Sequence, residues 1–390
     1  MSVPNVLDIR REVSPLELFF DLVFVFAVSQ LSHHLLEHLS WRGAAETAVL
    51  LVAVFGIWAF TSFEATMLDI GRPRTRLAVV VVMGMGLFMN AQISRAFTTN
   101  SWAFAIPLLM ILLGVQTLAA VAAPSPELRR HFRRALAWTS VSAPLWVVGA
   151  AVESGPRLWW WGAAAVIDLI GTWLAHPLPG HVLRSPHLAF DADHMLERLR
   201  LFLILLLGET VLTIGGAMSQ APVELPAIAA SAGAFAALVC LWAAYFGGGE
   251  DVVAVHIATT SDPIRSVRWG MNATYVALAG LVALAVGSEM VITHPHEHVS
   301  VALALLLFGG PVLYLASQAW YYHATTRRAW AERITACVVL AVGGVAALSL
   351  PVLASLALLD VILIALAIVL SRVHGRLAKA IKAAAQGTQP

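Results

Sequence analysis

The feature that most constrains this chain is a train of apolar runs about twenty residues long, separated by short segments rich in Arg, Pro and Gly. A helix rises 1.5 Å per residue, so roughly 20 apolar residues cross the hydrocarbon of a bilayer. Runs of that size fall at 15–38, 43–66, 76–95, 102–123, 134–153 and 158–177, and again at 194–217, 224–247, 267–290, 300–322, 331–350 and 351–372. Only Ser349 to Pro351 divides the last two. Of the 390 residues, 59% are hydrophobic and 12% charged. Soluble domains carry about 25% charged residues, so this chain lacks the polar surface to cover a water-exposed fold. The expected class is all-α, a polytopic transmembrane bundle of about twelve helices. Asp8, Arg10, Arg11 and Glu12 precede the first run without the layout of a cleavable signal, so the first helix is read as retained.

The basic residues give an independent check. With the N-terminus inside, 21 of the 24 Lys and Arg residues fall on cytoplasmic segments or helix ends, and only Arg42, Arg95 and Arg157 fall outside. Such asymmetry is the positive-inside rule. It places both termini in the cytoplasm of a plasma-membrane protein and favours an even helix count. The net charge of +1 leaves no basic field for nucleic acid. Cys240 and Cys337 lie in apolar runs, too few and too deep for a disulfide framework.

The two halves resemble each other. Pro15-Leu16-Glu17 opens the first run and Met195-Leu196-Glu197 the seventh. Trp58-Ala59 pairs with Trp242-Ala243, Arg133-Arg134-Ala135 with Arg327-Arg328-Ala329, and Ile167-Asp168-Leu169 with Leu359-Asp360-Val361. The offsets of 180, 184, 194 and 192 keep one order. They predict a 6+6 duplication, residues 1–185 and 186–390. Six is even, so the halves share one orientation, as in parallel-repeat transporters. Reuse of a stable six-helix unit explains the same pattern without transport.

An ionisable group inside a span is costly and therefore a functional candidate. Glu17 and Asp21 lie four residues apart, on one helical face. Two close carboxylates share a proton or attract a cation; the plainer reading is that they pair with arginines of neighbouring helices. The seventh run carries His194, Glu197, Arg198 and, past an apolar stretch, Gly208 and Glu209. Arg198 and Glu209 are about 20° apart in azimuth and about 16 Å apart in rise. Glu209 has no cation near it in its own helix, so it must be protonated or paired across a helix interface. Asp168 and Asp360 are also deep, and Glu64 lies near the cytoplasmic end of the second run. His34 with His38, and His194-x-x-Glu197, have spacings seen in metal sites. A second Glu-x-x-His is missing, and interfacial histidines are the simpler account. Nucleotide-loop, dinucleotide and nucleophile-elbow motifs are absent, so no cofactor is expected.

The opening Ser14-Pro15-Leu16-Glu17-Leu18-Phe19-Phe20-Asp21 resembles that of the bacterial low-temperature-requirement A family. The stretch from His194-x-x-Glu197-Arg198 to Leu207-Gly208-Glu209 resembles its second hallmark. The resemblance implies that Glu17, Phe20, Asp21, His194, Glu197, Arg198, Gly208 and Glu209 are motif positions. It implies no settled activity.

These readings lead to a proton- or cation-coupled permease, with Glu209 as the ion site, Arg198 and His194 as its gate or charge partners, and Glu17 and Asp21 as a facing acidic pair. The alternative is a membrane-embedded enzyme acting on a lipid, isoprenoid or other hydrophobic substrate by acid and base chemistry. A structural or signalling component without turnover is the third. The expected partners are the bilayer and a small-molecule or lipid substrate.

Overall fold

A computed structural model describes residues 13–67, 73–123, 125–177, 191–247, 253, 256–257 and 259–386. Among them are twelve α-helices: α1 (Pro15–Glu37), α2 (Trp41–Met67), α3 (Pro73–Asn90), α4 (Ser101–Ala122), α5 (Pro126–Ala151), α6 (Ser154–Trp173), α7 (Ala192–Gln220), α8 (Leu225–Phe246), α9 (Pro263–Thr293), α10 (Val301–Ala324), α11 (Ala331–Ala347) and α12 (Val352–Gln386). No strand occurs among the described residues; a single bridge joins His298 and Pro351. Arg10, Arg11, Arg72, Arg184, Gly248, Gly249 and the expected boundary at 185–186 lie outside the described residues.

The helix starts are written in local chemistry. Ser14 accepts from the Glu17 N–H while the Glu17 carboxylate takes the Ser14 N–H, a reciprocal capping box, with Pro15 in the first helical position. Ser125, Asp191, Asp262 and Ser300 cap α5, α7, α9 and α10, each side chain accepting one first-turn backbone N–H. Each cap satisfies a backbone N–H that the first turn leaves without an intrahelical partner.

Eight of the helices are long and apolar enough to cross a membrane: α1, α2, α4, α7, α8, α9, α10 and α12. The other four meet the expectation of a helix but not that of a full apolar span. The reasons are visible in composition. α11 has 17 residues, α3 opens with Arg74 and Arg76, and the first turns of α5 carry Glu127, Arg129, Arg130, Arg133 and Arg134. In α6, Arg157 and three tryptophans displace aliphatic residues.

Two arginines outside the cytoplasmic pattern are tied to the protein. Arg157 is buried and donates to the carbonyls of Gly149, Val152, Ala96 and Thr98 at 2.9 to 3.2 Å. It thereby serves carbonyls that the last turn of α5 leaves open. Arg42 pairs with Glu46 at 2.8 Å and donates to the Ser154 carbonyl.

α9 and α10 form the closest helix pair. A Cβ on Gly280 would stand 2.5 Å from the Gly310 carbonyl, and one on Gly310 would stand 2.7 Å from the Gly280 carbonyl. The two backbones touch because both residues lack side chains, the usual basis of tight packing between helices in lipid. Gly310→Val should therefore lower the unfolding temperature in detergent, by an amount typical of overpacking, about 1–3 kcal/mol. A melting curve equal to wild type would show that the helices are not held at this distance.

Candidate functional site

α1 and α7 meet along their first turns, and four ionisable side chains lie between them. His194 Nε2 is 3.0 Å from Glu17 Oε1, and Arg198 reaches the same oxygen at 3.5 Å. One turn on, Arg198 donates to Asp21 Oδ1 at 3.0 Å. The spacing explains the geometry: i and i+4 on each helix put two groups on one face, so two pairs interlock across the contact. All four side chains are at most 3% exposed.

The surroundings complete the site. Trp58 of α2 donates its indole N–H to the same Asp21 oxygen at 2.7 Å. The Arg198 guanidinium lies over the Phe20 ring at 5.3 Å and the Trp58 ring at 5.8 Å, within cation–π range. Trp58 also stacks on Phe202 of α7 at 4.2 Å, which locks its indole against the helix that supplies Arg198. The four groups balance when His194 is protonated and carry one net negative charge when it is neutral. One Asp21 oxygen and the Arg198 Nε have no hydrogen-bond partner among the described residues.

The structure brings together Glu17, Asp21, His194 and Arg198 and leaves Glu197 and Glu209 apart. Glu197 is one residue from Arg198, hence about 100° round the helix. It is exposed and pairs with Arg200 at 3.3 Å. Its carboxylate and the His194 ring therefore face different surroundings. Glu209 is half-buried about three turns deeper and has no ion-pair partner among the described residues. Of the deep aspartates, Asp168 accepts the Trp146 indole N–H at 2.9 Å, and Asp360 packs beside Gly233. His34 faces Glu46 at 3.4 Å, with its ring 4.7 Å from that of His38. Among the described residues no group of three or more His, Cys, Asp or Glu is placed to hold a metal ion.

Two cavities flank α9. One lies between α7, α8, α9 and α10 and is lined by Asp193, Glu197, Arg200, Gln318 and Tyr321. The other, smaller, lies between α2, α5, α9 and the turn after α6. Glu64, His131, His176 and Arg268 line it. Sequence reading passed over His131, His176 and Arg268, and also the bond from Trp58 to Asp21. Polar residues inside helices were the available signal for His131. Nothing local marks His176, which enters because Ala175 and His176 both adopt left-handed backbone, φ 58° and 52°. Gly171 leaves room for the incoming ring, since a Cβ there would lie 3.1 Å from it.

A multi-pass bundle of apolar helices, with a buried charge cluster where two of them begin, defines the class. The sequence matches the bacterial low temperature requirement A protein (LtrA) family over residues 12–368, and the chain belongs to that family. It is 31% identical over 318 residues to an uncharacterized protein of Rhizobium meliloti (strain 1021), covering 80% of this chain and 77% of the other. No solved structure matches.

Breaking a buried ion pair from one side strands a charge and costs about 3–5 kcal/mol. Arg198→Met should accordingly lose much of its thermal stability in detergent, and adding Asp21→Asn and Glu17→Gln should restore part of the loss. Strictly additive losses in that series would show that the groups do not interact.

Proposed function

We propose that the protein is a proton- or cation-coupled secondary transporter built from two parallel six-helix halves, residues 1–185 and 186–390, with both termini in the cytoplasm. The observation that carries this reading is the buried quartet Glu17, Asp21, His194 and Arg198, which ties α1 to α7, the helices that open the two halves.

The helix neighbours support the duplication. α1 packs on α2 and α3, and α7 on α8 and α9. The series α3, α4, α5, α6 contact one another in order, as do α9, α10, α11, α12. α2 rests on α6, and α8 on α12. The halves join through α1 with α7 and α9, and through α2 with α9. Arg129, Arg130, Arg133, Arg265, Arg327 and Arg328 gather near the starts of odd-numbered helices, which supports placing that end in the cytoplasm.

In parallel-repeat carriers the substrate lies where the halves meet, and access alternates as one half rocks against the other. Opening at the end where α1 and α7 begin requires those helices to part, and the quartet is the latch that resists it. A proton on Glu17 or Asp21 weakens the pairing with His194 and Arg198, so proton binding and opening are linked. Glu209, deeper on α7 and half-buried, is the second proton-accepting group, and Glu197 lines the cavity beside α7.

One observation favours an embedded enzyme as the second reading. The cavity lined by Glu64, His131 and His176 joins a carboxyl and two imidazoles inside largely apolar walls, the equipment of acid–base catalysis on a hydrophobic substrate.

Purified protein in liposomes with an internal pH dye separates the two. We expect solute-dependent proton movement in wild type and its loss in Asp21→Asn or His194→Gln, with Glu209→Gln reporting whether the deeper carboxylate is on the path. Absence of flux with any solute, from protein that melts normally, would sink the transporter reading.

A further inference from the structure

We infer that the cavity between α2, α5, α9 and the turn after α6 is a binding site for a small zwitterion with an apolar body, an amino acid with an aliphatic or aromatic side chain being the chemical type. The inference rests on four residues that line one cavity and carry buried polar atoms without hydrogen-bond partners among the described residues. Glu64 is 2% exposed, and both its carboxylate oxygens are such atoms. So are the Nε of Arg268 and the Nδ1 atoms of His131 and His176. No ion pair joins Glu64 to any basic residue among the described residues, although Arg268 lines the same space. Buried polar groups are nearly always satisfied, and a cluster of exceptions around a void marks where a ligand's groups belong.

The chemistry of the lining selects the ligand. Glu64 asks for a donor, best met by an ammonium. Arg268 asks for an acceptor, best met by a carboxylate. The histidines can give or take a hydrogen bond on either head group. The same lining includes Phe60, Phe63, Phe132, Ile264 and Met271, which suit an apolar body. The His176 ring packs 5.2 Å from Phe60 and 6.0 Å from the His131 ring, so the polar groups are braced by aromatic contacts.

The backbone adds a separate observation. Ala175 and His176 are consecutive non-glycine residues with positive φ, and both line the cavity. Such conformations gather at ligand-binding sites, where surrounding structure holds them. Here the His176 N–H bonds to the Gly171 carbonyl at 2.7 Å, which closes α6 and turns the ring inward.

The site lies where helices of the first half meet α9 of the second. On the transporter reading the zwitterion is the cargo, and that role rests on the reading; binding itself does not. The test is therefore equilibrium binding to detergent-purified full-length protein, with tritiated L-phenylalanine as probe and unlabelled competitors. We expect saturable binding, displaced by L-leucine. Phenethylamine, which has only the ammonium, and 3-phenylpropionate, which has only the carboxylate, should each compete at least ten-fold more weakly than phenylalanine. Glu64→Gln and Arg268→Gln should each weaken binding ten-fold or more. Ala135→Leu, which fills the void without touching a charge, should abolish it while the protein still melts cooperatively. Equal competition by either one-headed analogue would overturn the inference, as would binding indifferent to Glu64→Gln and Ala135→Leu, or no saturable binding at all. Binding without flux in liposomes would leave the site standing and remove the transporter. Coupled flux of other solutes without this binding would do the reverse.

Discussion

Inside a hydrocarbon layer a polar group has no water to turn to, and every charge in this bundle is placed under that constraint. Arg157 answers it by spending its guanidinium on four carbonyls. Arg333 does the same beyond α10, donating to the carbonyls of Ala244 and Ala329 and to the side chain of Gln318 while lying 4.2 Å from the Tyr322 ring centre. These arginines behave as internal braces that close helix ends. The α1–α7 quartet obeys the same constraint by mutual pairing, but its members come from helices 177 residues apart in sequence, so satisfying them also joins the two ends of the fold's first and second portions.

The quartet differs from the braces in what it can do. A guanidinium bound to backbone carbonyls has a single protonation state and fixed partners. Two carboxylates facing an imidazole and a guanidinium have several charge states, each with a different grip between α1 and α7. Its packing limits the alternatives: Trp58 bonds Asp21 and stacks on Phe202, while Phe20 covers Arg198.

The cavity around Glu64 is the place where the constraint is left open. Its carboxylate, one nitrogen of each of two imidazoles and a guanidinium nitrogen have no hydrogen-bond partner among the described residues. They sit at the junction of α2, α5 and α9, and α9 forms a shared wall with the larger cavity beside α7. A ligand there would touch α2, α5 and α9 at once.

Local sequence determined much of this protein. Apolar runs of bilayer length located all twelve helices within a few residues at most ends, because helix formation and burial in lipid depend on local composition. The i, i+4 spacing placed Glu17 with Asp21 on one face, and His194 with Arg198 on another. That the two faces meet was decided by tertiary structure, since azimuth on a helix says nothing of which neighbour it confronts. The same applies to Glu197 and Glu209, which share the motif yet stand apart from the quartet because one lies a third of a turn round the helix and the other three turns along it. Trp58 and Trp242 illustrate the limit: each precedes an alanine within an apolar run, yet Trp58 is fully buried against Asp21 and Trp242 is 48% exposed. The cavity was the least legible of all. Its groups come from four distant segments, and His176 reaches it only through two left-handed residues that no periodicity announces. Sequence specified the helices and their polar faces because those depend on near neighbours. Which charges found partners, and which were left facing a void, depended on how those helices packed.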